Sequence, residues 1–151
     1  MHTLVRRFIK TGILFLLVGL ALGAVLVVRR ELLGAWPDPY WVSAHTHAIL
    51  VGFVMMMILG VALWLFPRPE KGDTRYAPER AELAYWSVAA GTALRIAGEL
   101  ARASSGAAWL RWLVVVASLA QVGGIALFFF TMWSRVRAVG SAGREAKGER
   151  F

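Results

Sequence analysis

The sequence predicts an all-α fold: a polytopic membrane protein built as an antiparallel bundle of four transmembrane helices. Three observations predict it. Hydrophobic residues make up 58% of the 151-residue chain, with seven Trp among them, a balance foreign to a soluble domain. Charges collect between apolar blocks. Four of those blocks reach the roughly 20 residues that a helix needs to cross a hydrocarbon core, at about 11–28, 43–66, 82–100 and 109–134.

The first block follows the basic start MHTLVRRFIK, which together with GILFLLVGLALGAVLVV imitates a secretory signal. It ends in Val27-Val28-Arg29-Arg30-Glu31 with no small-residue cleavage site, so an uncleaved span is expected. Gly19 and Gly23 give it a small-xxx-small face suited to helix packing or self-association. Gly34-Ala35-Trp36-Pro37-Asp38-Pro39 then turns the chain, since two prolines forbid continued helix. The second block opens on His45-Thr46-His47 and stops at Pro67-Arg68-Pro69. The consecutive Met55, Met56 and Met57 point three ways and serve packing.

The third block carries Arg95 and Glu99, and the small polar link Ala103-Ser104-Ser105-Gly106 leads into the fourth. There Gln121 is expected to hydrogen-bond between helices, while Gly123-Gly124 permits close approach. Residues 1–134 thus form one transmembrane domain, and 135–151 a polar tail.

Orientation follows from the basic residues, because short Lys- and Arg-rich loops stay cytoplasmic. Most of the seventeen lie before the first block, between the second and third, or after the fourth; the opposite side has only Arg29, Arg30, Arg102 and Arg111. Both termini are therefore expected in the cytoplasm, with His45 and His47 near the outer leaflet. The net charge of +8 reflects this asymmetry and an attraction to anionic lipid. It gives no support for nucleic-acid binding. With no Cys, the chain cannot build a disulfide, a thiolate metal site, an iron–sulfur cluster or a covalently attached haem.

The chemistry rests on the histidine pair. Ionisable groups entering a span are costly and usually face protein or a bound group, and neutral imidazole is the commonest metal ligand. Residues two apart in a helix are separated by about 200°, so His45 and His47 cannot share one metal and must address different sides. That geometry suits two bound groups on opposite flanks, one ligand and one structural histidine, or two caps meeting interfacial water. Arg95 and Glu99, four apart, share a helix face. They form an internal ion pair, or Arg95 binds an anion such as a haem propionate. No nucleophile–base pair, phosphate loop or carboxylate dyad is visible.

The stretch from His45-Thr46-His47 through Gly52, Leu59-Gly60 and Trp64-Leu65-Phe66-Pro67-Arg68 resembles the tenth helix of the catalytic subunit of haem–copper oxidases, above all the cbb-type cytochrome c oxidases and their nitric oxide reductase relatives. Arg95 and Glu99 are similar to an R-x-x-G-E pattern of small oxidase-like membrane proteins. The resemblance implies haem b held by His45 or His47 as metal ligands, with Arg95 steadying the propionates. It also implies a place in a respiratory or denitrification chain of the bacterial inner membrane, in electron transfer or in binding NO or O2. Such catalytic subunits have twelve spans and further histidines, so four spans cannot make a complete oxidoreductase. A homo-oligomer, a trimer imitating the three four-helix arcs of the larger subunit among them, would place haem between protomers. The other expectation is a haem-free accessory or assembly subunit of a terminal oxidase or nitric oxide reductase.

Overall fold

The computed structural model describes residues 3–69, 72–137 and 147–148. Four helices follow one another: α1 (Thr3–Glu31), α2 (Pro39–Leu65), α3 (Pro78–Ser104) and α4 (Ala108–Met132), the last closed by a 3-10 turn at Trp133–Arg135. No strand occurs among the described residues.

Local chemistry sets the boundaries. The chain leaves α1 through Gly34, whose φ of +60° is left-handed and open to glycine without steric cost. Asp38 starts α2: its Oδ1 accepts a hydrogen bond from Tyr40 N at 2.8 Å, and Pro39 occupies the first turn, where its missing N–H costs nothing. α2 ends at Phe66, extended at φ −70° and ψ 146° as a residue before proline tends to be. Pro78 begins α3 in the same way, with Glu79 in the first turn. One feature has no counterpart in the apolar pattern. Residues Ala48–Met55, directly after the histidine pair, wind as a π-helix, a wider form rarely seen beyond one turn and frequent at functional sites.

α2 lies between α1 and α3, and α4 packs on α3. α3 and α4 approach through opposed glycines. A methyl group on Gly91 would stand 2.9 Å from Ala117 O, and one on Gly124 would stand 3.1 Å from Ala84 O. The Gly19 and Gly23 face is used within the chain, receiving Ile49 and His45 of α2. At the end that holds residue 3, all four helices share a core. Phe8 meets Tyr85 edge-on at 5.0 Å and Phe128 at 5.9 Å, with Val5, Met56, Leu59, Val88 and Met132 buried around them. This is called the amino-terminal end below, and the other the far end.

Three helices, α1, α2 and α4, are long and apolar enough to cross a membrane, so the chain is a multi-pass membrane protein by length and composition. α3 falls short. Its middle is Ala- and Gly-rich and holds Arg95 and Glu99, which lowers its hydropathy despite its 27 residues.

Arg135, expected to begin the polar tail, instead folds back and is buried. Its guanidinium donates to Pro67 O at 2.7 Å, Phe66 O at 3.0 Å and Leu63 O at 3.1 Å, and stacks 5.0 Å from the Tyr76 ring. It therefore caps α2 from another helix, serving carbonyls with no intrahelical partner at the helix's negative end. The rest of the tail expectation, apart from 136–137 and 147–148, lies outside the described residues, as does His2.

Nearby, Ser134 donates a hydrogen bond to Asp73 Oδ2, and Arg75 N donates to Oδ1 at 2.9 Å. The Ser134 hydroxyl first, and the Arg75 N–H second, hold the Asp73 carboxyl below its ordinary 3.8. Because the folded value is the lower one, the tie is complete above the unfolded value and is lost as pH falls through the folded value. In Ser134→Ala, the Asp73 carboxyl carbon, followed by NMR, is expected to titrate closer to 3.8. An unchanged midpoint would mean that the hydroxyl contributes nothing.

Candidate functional site

His45 and His47 sit in the first α-helical turns of α2, where the winding separates them by about 200°. They face different helices. His45 turns to α1, its Nδ1 2.8 Å from Gly19 O. His47 turns to α3, its Nδ1 2.8 Å from the carbonyl of Ser43 and 3.9 Å from Glu99 Oε2.

The His45 contact fixes chemistry as well as direction. A backbone carbonyl only accepts, so Nδ1 carries the proton and Nε2 keeps the lone pair. Histidines that bind metals characteristically hold the other ring N–H on a carbonyl or carboxylate in this way. The ring lies against Gly23, where a methyl group would come within 2.9 Å of Cε1; only glycine leaves the space. Beside it, an open groove of about 560 Å³ runs along α1, walled by Leu20, Gly23, Ala24 and Val27 with His45 at its edge. Its walls are otherwise apolar. Of what a b-type haem requires, His45 would supply an imidazole nitrogen and the groove an apolar wall.

His47 and Arg95 belong to a separate cluster. Ser43 Oγ donates to Glu99 Oε1 at 2.8 Å, and Arg95 Nε donates to the same oxygen at 3.0 Å. Arg95 also reaches Gln121 Oε1 at 3.4 Å, and Gln121 Nε2 donates to Thr92 Oγ1 at 2.9 Å. The cluster thus joins α2, α3 and α4 near mid-bundle. Glu99 is 2% exposed and Gln121 3%. Burying a charge without a partner is prohibitive, and the guanidinium is the partner that Glu99 has.

The structure therefore separates the three residues that the sequence grouped as a cofactor site. His45 stands by the α1 groove, while His47 and Arg95 lie in the polar cluster on the other flank of α2. Among the described residues no three His, Asp or Glu side chains gather as metal ligands. Arg29 of α1 stacks on Trp41 of α2 at 5.5 Å. Sequence reasoning missed Ser43 and Thr92, whose hydroxyls carry no periodic signal. It also missed Arg102, which stacks on Tyr40 at 5.0 Å; its three-residue spacing from Glu99 was the available clue.

No protein-family model, curated protein or solved structure matches the chain.

Proposed function

We propose that this is a haem b-binding membrane protein of a respiratory or denitrification chain, related to the catalytic subunit of haem–copper oxidases and nitric oxide reductases, with His45 as the axial ligand. The single observation that carries the reading is the His45 ring, its Nδ1 proton held on Gly19 O and its other nitrogen left to donate beside an apolar groove. Bound there, haem would supply one-electron redox chemistry or a position for NO or O2. His45 would hold and orient the group, Gly23 would keep its approach clear, and Leu20, Ala24 and Val27 would exclude water.

The groove opens away from the bundle, so its second wall comes from another copy or from a larger respiratory complex. A homo-oligomer, a trimer included, would complete it. Neither His47 nor Arg95 is assigned a direct contact; they support the helix that presents His45.

We further infer that α3 is the fourth span. Between Glu82 and Arg102 its only charges, Arg95 and Glu99, turn into the protein, while Leu83, Trp86 and Leu94 are exposed. An apolar exterior over a charged interior is the pattern of a helix in lipid. Four spans would return the chain to its starting side, and the excess of Lys and Arg in the loops on that side supports both termini lying on the cytoplasmic face of a bacterial inner membrane.

The Ser43–Glu99–Arg95–Gln121 cluster, bonded within the protein and with the His47 ring beside it, favours a second reading: a haem-free accessory or assembly subunit. One spectrum separates the two. Protein purified in detergent after haem-replete expression is expected to show a Soret band that is lost in His45→Ala and kept in His47→Ala. Colourless wild-type protein would overturn the haem reading, and loss only in His47→Ala would move the ligand.

A further inference from the structure

One face of α3 is polar through half the bundle. Thr92, Arg95, Glu99 and Arg102 follow at spacings of three, four and three, the interval at which helix residues stack on one side. At a rise of about 1.5 Å per residue this stripe is ~15 Å long, half of a hydrocarbon core of about 30 Å. It starts at the far end, where Arg102 stacks on Tyr40, and ends at Thr92 and Gln121 in mid-bundle.

The stripe is satisfied except at one step. Among the described residues two buried side-chain atoms lack a hydrogen-bond partner: Glu99 Oε2 and Arg102 Nε. They lie one helical turn apart on the same face. One is an anionic acceptor and the other a cationic donor. His47 Nδ1, at 3.9 Å from Oε2, is too far for a hydrogen bond and spends its proton on Ser43 O.

Their chemistry selects the ligand. A cation on Oε2 would meet the guanidinium groups of Arg95 and Arg102 on either side, and an anion on Arg102 Nε would meet the Glu99 carboxylate. What satisfies both is a small neutral molecule that donates to one and accepts from the other. Buried waters do this, typically making about three hydrogen bonds to groups otherwise left without them. Leaving either atom dry would cost on the order of its full desolvation.

We propose that a buried water bridges Glu99 Oε2 and Arg102 Nε, and that it completes a continuous polar stripe on α3, hydrated at its far-end step and directly hydrogen-bonded from Glu99 on to Gln121. The bridge lies on the flank of α2 opposite the His45 groove, so it is independent of any group bound there.

The test is water-edited solid-state NMR on the full chain in liposomes, labelled with ¹⁵N-arginine and ¹³C-glutamate, each Nε assigned through its own backbone. Magnetisation from water is expected to reach Arg102 Nε–H several-fold faster than Arg95 Nε–H, which is committed to Glu99 Oε1. Equal or absent transfer at Arg102 would overturn the proposal. So would a direct dipolar contact between Arg102 Nε and the Glu99 carboxylate carbon, since the two would then be an ion pair with no water between them.

Discussion

Glu99→Leu is expected to destabilise the folded bundle by roughly 3–5 kcal/mol, the cost of stranding one partner of a buried charge pair. The substitution removes the acceptor of Arg95 Nε and of Ser43 Oγ together. A guanidinium then remains within the protein with only Gln121 Oε1, at 3.4 Å, to receive it. Leucine has nearly the right volume, so the loss is electrostatic and not a cavity. The companion measurement makes that explicit. Arg95→Met/Glu99→Leu, in which no charge is left to strand, is expected to recover most of the lost stability, because well-packed apolar replacements of a buried pair are often neutral. Reversible unfolding in mixed detergent, followed by tryptophan fluorescence, reads both. If the double variant is as unstable as the sum of its parts, the two side chains act independently and the pair is not the unit described here.

Arg135→Ala is expected to release the C-terminus of α2, at a cost of about 2–3 kcal/mol. One guanidinium serves the buried carbonyl of Leu63 and the part-buried carbonyls of Phe66 and Pro67, and a buried acceptor left without a donor costs ~1–3 kcal/mol, the part-buried ones less and without full additivity. Arg135→Lys should recover only part, since an ammonium lacks the planar fork that spans several acceptors. The effect is also local. Limited proteolysis is expected to show faster cleavage between Pro67 and Pro78 in Arg135→Ala but not in the Arg95→Met/Glu99→Leu double variant. Uniform resistance would mean that the α2 terminus is held by other contacts.

The two variants differ in how visible their residues were beforehand. Arg95 and Glu99 announce themselves by four-residue spacing within an apolar block, and the ion pair is one of the two readings that this spacing offers. Arg135 does not: directly after an apolar block and followed by Arg137, it reads as the start of a solvated tail. Only the return of α4 beside the Pro67 turn shows which carbonyls it meets.

The same division runs through the rest of the chain. Four helices, the proline-marked turns on either side of α2 and the short link after α3 were legible because apolar length and backbone chemistry are local. The angular separation of His45 and His47 was legible for the same reason, although not which helix each would meet. Spacing fixes directions around one axis, whereas the neighbours depend on the whole bundle. Thus Gly19 and Gly23, legible as a packing face, receive Ile49 and His45 of the same chain. Arg95, a candidate for anion binding, is claimed by Glu99 and Gln121. α3 is legible as a long helix, and its charges turn inward only because α2 and α4 supply Ser43 and Gln121 to meet them.

The π-helical stretch from Ala48 to Met55 separates two ordinary helical halves that answer to different neighbours. Above it the ring of His45 is docked on α1; below it Met56, Leu59 and Leu63 are committed to the shared core. A uniformly wound rod would lock those commitments together, so that shifting one residue would swing the imidazoles about 100° away from their seats. The looser coil acts as a slip joint: it lets the upper half take the azimuth that its histidines require while the lower half stays keyed to the aromatic centre.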